Sequence, residues 1–160
     1  MKMKRKFVVS YIIGVLIPLA VGALSALLTM GNMDLYAQGI LKPPLSPPGW
    51  LFPVVWTGLY ALMGISSTMI WLLPPSAARN RALNLYIAQL IVNFFWSLIF
   101  FNAQAFGFAA LWLILLWVLV ALMILQFWKV NRTAALLQIP YLIWLTFAAY
   151  LNIAIWILNG

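Results

Sequence analysis

The chain has 160 residues, of which 67% are hydrophobic and only 6% are charged, with a mean hydropathy of +1.09. Soluble domains are roughly half apolar and one quarter charged, so this composition excludes a soluble globule and indicates an integral membrane protein. The net charge of +8 would suggest a nucleic acid partner in a soluble chain. Here the basic residues flank apolar segments, so we expect membrane lipid as a partner and no nucleic acid.

The inventory of reactive side chains excludes several kinds of chemistry. There is no Cys, His or Glu, and Asp34 is the one acidic residue. A zinc site, a Ser-His-Asp triad and a pair of catalytic carboxylates all need residues that the chain lacks. We therefore expect no metal site, no required cofactor and no classical acid–base enzyme.

Five apolar segments are long enough for a helix to cross the hydrocarbon core, which takes about 20 residues. They cover residues 7–30, 50–73, 82–103, 106–128 and 134–158. The first is too long for the apolar part of a signal peptide, so we interpret it as an uncleaved span. Short connections make most consecutive helices antiparallel neighbours. The predicted fold is all-α, a polytopic membrane protein with a bundle of five transmembrane helices in one domain, residues 1–160.

The basic residues predict the orientation of this bundle. If the N-terminus is cytoplasmic, that side holds eight of the nine Lys and Arg residues and the other side holds only Lys42. The eight are Lys2, Lys4, Arg5, Lys6, Arg79, Arg81, Lys129 and Arg132. This positive-inside bias predicts a cytoplasmic N-terminus and an external C-terminus. Because no transit peptide is evident, we expect a bacterial inner membrane.

The longest connection contains a proline-rich run from Lys42 to Trp50. Its four prolines fix φ and exclude the interior of a helix or sheet, so they predict a stiff, extended strap. The strap joins the ends of the first two helices and must cross the mouth of the bundle. It is either a lid over a cavity or a rigid connector. The candidate lid residues are Lys42, Pro43, Pro47, Pro48 and Trp50.

Three predicted helices carry aromatic and polar residues at a spacing that puts them on one face. These faces comprise Trp56 and Tyr60 on the second helix, Gln89, Asn93, Trp96 and Phe100 on the third, and Pro140, Trp144, Ala148 and Asn152 on the fifth. One interpretation is a cavity under the strap that suits a flat, mostly apolar ligand. The other is that the amides bond neighbouring helices and the rings only pack.

A stripe of small residues in the first helix has a similar ambiguity. Gly14, Pro18, Gly22 and Ala26 recur every four residues, a spacing that permits close helix approach. The stripe serves either an internal contact or a dimer interface, and we favour the internal contact.

Several spaced motifs resemble those of the TspO/MBR family, the tryptophan-rich sensory proteins related to the mitochondrial translocator protein. The resemblance covers the second to fifth helices with their loops. The matching residues are Lys42-Pro43, Pro47-Pro48, Trp50, Phe52-Pro53, Trp56, Leu59-Tyr60, Gly64, Ala88-Gln89-Leu90, Asn93, Trp96, Phe100-Phe101, Pro140-Tyr141, Trp144, Ala148 and Leu151-Asn152.

The resemblance implies a five-helix bundle, usually a homodimer, that binds porphyrins, heme-related tetrapyrroles, and isoquinoline and benzodiazepine-type ligands. The implied pocket lies under the first loop, among the first, second, third and fifth helices. The ligand-binding residues carried over by motif are Trp56, Tyr60, Asn93, Trp96, Trp144, Phe147 and Ala148. Some bacterial members are reported to degrade protoporphyrin in light through two pocket tryptophans. These align with Trp56 and Trp144, which become the catalytic candidates.

The sequence departs from the family pattern in the first loop and near the end. Tyr36 and Ala37 stand where the family usually has Trp-Tyr, and Leu45 stands where it has Trp. These changes predict altered aromatic contacts of the lid and hence an altered ligand preference. The cholesterol motif needs a basic residue shortly after Tyr150, and none follows, so cholesterol is not an expected partner.

Three functional hypotheses follow. The first is a membrane receptor or carrier that binds a tetrapyrrole and regulates its level. The second is a light-dependent enzyme that degrades protoporphyrin, and the third is a non-catalytic assembly or regulatory subunit. A channel is disfavoured, because the sequence has no ring of charges or carbonyl filter.

Overall fold

The computed structural model describes the backbone of residues 1–160 and every side chain except those of Asp34 and Leu35. Its regular elements, in chain order, are α1 (Lys2–Thr29), α2 (Met33–Gly39), α3 (Leu51–Trp71), α4 (Ala77–Ser97), α5 (Phe106–Val130), α6 (Arg132–Leu137) and α7 (Ile139–Asn159). A 3₁₀ turn, Met30–Asn32, joins α1 to α2, and a π-helical turn, Leu98–Asn102, extends α4.

Five helical stretches are long and apolar enough to cross a membrane. They are Lys2–Asn32, Leu51–Trp71, Ala77–Asn102, Phe106–Val130 and Arg132–Asn159. The prediction of an all-α bundle of five membrane-spanning helices is therefore confirmed. We call the end of the bundle that carries α2 and the proline-rich run the strap end. The opposite end, where α3 passes to α4 and α5 to α6, is the basic end.

The third span starts earlier than the sequence pattern predicted. Helix α4 begins at Ala77 rather than near residue 82, so Arg79 and Arg81 are helical rather than part of the link. The Ser76 hydroxyl caps the helix by accepting a hydrogen bond from the Arg79 N–H at 3.1 Å. The Arg79 guanidinium then lies 4.8 Å from the Trp71 ring and donates to the Trp71 carbonyl at 2.7 Å. This closes the link between α3 and α4.

The last span is not one continuous helix. It divides at Gln138 into α6 and α7, with Pro140 in the first turn of α7. Proline has no N–H to donate and is favoured in a first turn, so it fits the start of a new helix better than the middle of an old one. The Asn131 side chain caps α6 by accepting from the Ala134 N–H at 3.1 Å.

The first loop also differs from the expectation. Helix α2 occupies the part before the proline-rich run, and the run itself turns at Pro44 and Leu45. Leu45 adopts a left-handed φ of 69°, and the Ser46 hydroxyl donates to the Pro43 carbonyl at 2.8 Å. The prediction of a wholly extended strap is therefore wrong at this turn. Leu45 and Ser46, between the proline pairs, have a φ that no ring fixes, and the chain turns at Leu45.

Close contact between α1 and α3 depends on glycine. A Cβ added to Gly64 would overlap the backbone of Val15, and one added to Gly22 would overlap the ring of Tyr60. A Cβ on Gly14 would likewise overlap Thr68. The prediction that the small-residue stripe serves an internal contact is confirmed for Gly14 and Gly22. This approach brings α1 over one side of the space between α3, α4 and α7.

Candidate ligand-binding cavity

A cavity of about 770 Å³ lies at the strap end, between α1, α3, α4 and α7. Ligand-binding pockets in proteins span roughly 300–1,000 Å³, so it has room for a sizeable organic molecule. Aromatic rings form much of its wall. The aromatic lining residues are Tyr36, Phe52, Trp56, Tyr60, Trp96, Phe100, Phe101 and Trp144.

The predicted ligand-binding residues fall into two groups. Trp56, Tyr60, Trp96, Trp144 and Ala148 line the cavity, and both catalytic candidates are among them. Asn93 and Phe147 are not among the lining residues. The ring of Phe147 instead packs against that of Trp144, with the centroids 5.6 Å apart, so it supports the wall from behind.

Ring–ring contacts hold the aromatic wall in place. Trp56 lies 5.5 Å from Tyr60 and 6.2 Å from Tyr141, measured between ring centroids. Trp96 stacks on Phe100 at 5.1 Å with an angle of 28° between the ring planes. Such offset and edge-on pairs are the favoured arrangements of aromatic rings. The wall is thus packed before any ligand enters.

A buried hydrogen-bond network lies behind the wall and explains the position of Asn93. The Tyr60 hydroxyl donates to Asn93 Oδ1 at 3.0 Å, and Asn93 Nδ2 donates to the Tyr141 hydroxyl at 2.6 Å. The Tyr141 hydroxyl in turn donates to Gln89 Oε1 at 2.8 Å. These bonds connect α3, α4 and α7. For Asn93 and Gln89 the geometry favours the interhelical interpretation over direct contact with a ligand.

Asn152 orients one wall residue in a similar way. Its Oδ1 accepts a hydrogen bond from the Trp96 indole N–H at 3.0 Å, and its Nδ2 donates to the Phe106 carbonyl at 2.9 Å. By contrast, the indole N–H of Trp144 is buried, and no described protein group accepts a hydrogen bond from it. Buried donors are normally paired, so Trp144 stands out among the wall residues.

The proline-rich run lies over the cavity and is attached to α7. Among the candidate lid residues, Lys42 and Pro47 line the cavity. Pro43 is buried but does not line the cavity, and Pro48 and Trp50 are exposed. Asn159 accepts from the Leu41 N–H and donates to the Leu41 carbonyl, each at 2.9 Å. The Tyr150 hydroxyl donates to the Pro44 carbonyl at 2.8 Å. This attachment favours the lid interpretation over a simple connector.

Tyr36 joins the cavity wall through α2, which the sequence pattern did not predict. Its ring packs edge-on against Phe100 and Phe101, at 5.7 and 5.2 Å between centroids. The Lys42 ammonium lies 4.9 Å from the centre of this ring and also donates to the Ala37 carbonyl at 3.0 Å. Burial raises the pKa of Tyr36, so the phenol is neutral and its ring face can hold the cation.

Comparison with known proteins places the chain in one family. Residues 14–157 match the TspO/MBR family model. The chain is 37% identical to the tryptophan-rich protein TspO of Chlorobaculum tepidum, over 88% of this chain and 90% of that protein. It is 36% identical to protein CrtK of Rhodobacter capsulatus, over 86% and 85% of the two chains, and 36% identical to the translocator protein of Sus scrofa, over 88% and 85%. The chain belongs to the TspO/MBR family.

Membership in the TspO/MBR family confirms the resemblance derived from the motifs, but the motifs missed part of the cavity. Helix α1, which the resemblance implied would line the pocket, contributes Gly22, Ser25 and Thr29 to the wall, but none of the residues carried over by motif lies on this helix. The available signal was the pair Ser25 and Thr29, two polar residues one turn apart near the C-terminal end of the helix. The Thr29 hydroxyl donates to the Ser25 carbonyl at 2.9 Å, which satisfies it within the helix.

The described side chains of this TspO/MBR protein contain no cluster of three or more His, Cys, Asp or Glu residues that would hold a metal ion. The polar atoms at the cavity are instead the Lys42 ammonium, hydroxyl groups and amides. Such a site can bind through stacking, hydrogen bonds and one positive charge.

Proposed function

We propose that this TspO/MBR protein is a membrane receptor or carrier that binds porphyrin or a related tetrapyrrole in the cavity under the strap. The observation that carries the proposal is a cavity of about 770 Å³ whose lining includes aromatic rings from α2, α3, α7, and α4 with its π-helical turn. A tetrapyrrole is a large aromatic plate, and ring faces and edges are the surfaces that pack best against such a plate.

The polar atoms at the cavity support the same ligand class. Lys42 is the one charged residue among the described lining residues, and its ammonium would pair with a porphyrin carboxylate. Because the chain has no His or Cys, we expect the ring system to be held by packing rather than by axial ligation of a heme iron.

A second candidate function is light-dependent degradation of protoporphyrin. It is favoured by the position of Trp56 and Trp144, both of which line the cavity. Trp56 is also in ring contact with Tyr60 and Tyr141. In this hypothesis dioxygen is the oxidant that reacts with the light-excited porphyrin, and the two tryptophans act as redox-active or radical-stabilising partners. The third hypothesis, a non-catalytic assembly or regulatory subunit, predicts no saturable ligand.

The identity of the membrane and the orientation of the bundle in it are also proposals. The positive charges at the basic end favour a cytoplasmic N-terminus and an external strap end, in a bacterial inner membrane. A single cysteine introduced at Ser46, in this chain without native Cys, is expected to react with an impermeant maleimide in intact cells; one at Ser76 is not. The homodimer implied by the family resemblance stays a prediction.

The binding proposal is tested by titrating the purified protein with protoporphyrin IX in the dark. Bound porphyrin is measured by its absorbance and by equilibrium dialysis. The test variant is Trp144→Phe, which shortens one wall and removes the unpartnered indole N–H. The matched control is Trp117→Phe, the same chemical change on α5, where the indole donates to Thr146 and the ring does not line the cavity.

We expect saturable binding that Trp144→Phe weakens by about three- to tenfold, the range that aromatic contacts of 0.5–1.5 kcal/mol produce. Trp117→Phe is expected to bind like the unaltered protein. Absence of saturable binding in folded protein would refute the proposal and favour the assembly hypothesis. Illumination of the complex then distinguishes a carrier from an enzyme, since only the enzyme forms a product. Product formation that persists in the double variant Trp56→Phe, Trp144→Phe would refute the catalytic role of these two tryptophans.

A further inference from the structure

A groove separate from the ligand-binding cavity lies on the outer surface of the bundle, toward the basic end. It is an open groove of about 440 Å³ between α4 and α5. Its lining residues are Arg81, Asn84, Leu85, Ala88 and Gln126. The four on α4 have the spacing i, i+3, i+4 and i+7, so they form one face of that helix. The groove therefore runs along α4 from the basic end toward the membrane interior.

The polarity of the groove changes along its length. Arg81 and Asn84 lie nearer the start of α4, whereas Leu85 and Ala88 lie deeper, and Ala88 is roughly 10 Å from Arg81 along the helix axis. Gln126 on α5 donates to the Ala78 carbonyl at 3.2 Å, which fixes it level with the first turn of α4. A charged and amide-rich end that passes into an apolar trough has the polarity of a phospholipid molecule, from headgroup to acyl chain.

None of the described side chains provides a counterion for the charge on Arg81. The side chain is exposed, and no described protein group accepts a hydrogen bond from its guanidinium. Arg79, two residues earlier, is by contrast buried and bonded to the Trp71 carbonyl. The single acidic residue in the sequence, Asp34, belongs to α2 at the strap end. An anion that neutralises Arg81 must therefore come from outside the protein.

We propose that the groove between α4 and α5 binds one anionic phospholipid. Its phosphate pairs with the Arg81 guanidinium, Asn84 and Gln126 offer amide hydrogen bonds to the headgroup, and one acyl chain lies over Leu85 and Ala88. Arginine presents parallel N–H donors that match a phosphate, and basic grooves between membrane helices are known sites for anionic headgroups. Lys129, exposed and one turn beyond Gln126 on α5, adds a second positive charge near the mouth.

The test measures lipid retention by native mass spectrometry of the delipidated protein in detergent. Phosphatidylglycerol is added in one series and phosphatidylcholine in another, with inorganic phosphate as a competitor in a third. The test variant is Arg81→Gln, and the matched control is Lys4→Gln, which removes the same charge from the same end of the bundle but outside the groove. A thermal melt in the same detergent reports whether each variant is folded.

We expect one tightly retained phosphatidylglycerol, with about tenfold weaker retention in Arg81→Gln and no change in Lys4→Gln. Phosphatidylcholine is expected to bind more weakly, and inorganic phosphate is expected not to displace the lipid. Equal losses in both variants would overturn the proposal in favour of nonspecific charge attraction. Displacement by inorganic phosphate would overturn the assignment to a lipid.

A second pair of variants tests the apolar half of the groove without altering charge. Ala88→Phe fills the trough over which the acyl chain is proposed to lie, whereas Ile87→Phe changes the neighbouring, exposed position outside it. Reduced phosphatidylglycerol retention in Ala88→Phe alone supports the proposal. Unchanged retention in Ala88→Phe would overturn it, even if Arg81→Gln failed to fold.

Discussion

Replacement of Asn93 by Leu separates a residue that holds helices together from one that contacts a ligand. The Asn93 side chain is 3% exposed and lies between the hydroxyls of Tyr60 and Tyr141. Leucine has a similar shape but no polar atoms, so the substitution removes both hydrogen bonds and leaves little empty space. The Tyr60 hydroxyl loses its acceptor, while the Tyr141 hydroxyl still donates to Gln89.

The expected loss of stability follows from these two bonds. Interhelical side-chain hydrogen bonds in membrane proteins average about 0.6 kcal/mol and reach about 1.7 kcal/mol. Two such bonds give about 1.2 kcal/mol, and the buried Tyr60 hydroxyl left without an acceptor adds to this cost. We therefore expect Asn93→Leu to lower the free energy of unfolding by about 1–3 kcal/mol. In a double-mutant cycle with Tyr60→Phe, the coupling energy should be about 0.6 kcal/mol or more.

The assay is reversible unfolding in mixed micelles, paired with the dark titration of protoporphyrin IX. Asn84→Leu is the matched control in micelles that contain no phospholipid. It makes the same change at an exposed position of the same helix and should alter the free energy of unfolding by less than about 0.5 kcal/mol. Because Asn93 does not line the cavity, its substitution should weaken porphyrin binding by less than about threefold. Lost porphyrin binding with an unchanged free energy of unfolding would refute the reasoning.

Two further predictions concern the packing of α1 on α3 and the attachment of the strap. Gly64→Ala forces a methyl group into the Val15 backbone and should destabilise the protein. Gly58→Ala, on the same helix with nothing near its Cβ position, should be neutral or should stabilise the protein by up to about 1 kcal/mol. Thermal unfolding of the two variants tests this contrast. Asn159→Ala removes both hydrogen bonds to Leu41 and should speed porphyrin dissociation in stopped-flow experiments. Asn131→Ala, which removes a helix cap far from the strap, is the control for Asn159→Ala. Equal porphyrin dissociation rates in Asn159→Ala and the unaltered protein would show that the attachment of the strap to α7 does not limit porphyrin release.

The fold was predictable from the sequence because the dominant signal is hydrophobic length. Five apolar stretches had to be helices, since a single helix satisfies its own backbone in lipid. The ends were harder to predict, because capping decides them. Helix α4 extends back to Ala77 once Ser76 caps it and Trp71 takes the Arg79 guanidinium. Both interactions depend on tertiary geometry that the hydropathy pattern does not contain.

The candidate site was partly predictable, for a related reason. Spacing identified the faces of Trp56 and Tyr60 on α3 and of Trp144 and Ala148 on α7, and all four line the cavity. Spacing along a helix does not show whether a side chain on that face reaches the cavity or a neighbouring helix. Asn93 has the periodicity of the wall residues, but it bonds to two tyrosines behind the wall. It also could not predict α2, a seven-residue helix that carries Tyr36 to the cavity.

The two sides of the cavity are held by different kinds of interaction, which bears on where ligand preference would be set. The wall formed by α3, α4 and α7 is fixed by buried hydrogen bonds and ring packing, so its shape is costly to change. The strap is attached through exposed hydrogen bonds from Asn159 and Tyr150, which water can replace at little cost. The departures from the family pattern, at Tyr36, Ala37 and Leu45, all lie in the first loop rather than in this wall. We therefore expect substitutions in the loop to change which ligand is preferred, and substitutions behind the wall to change whether the bundle is stable enough to bind any.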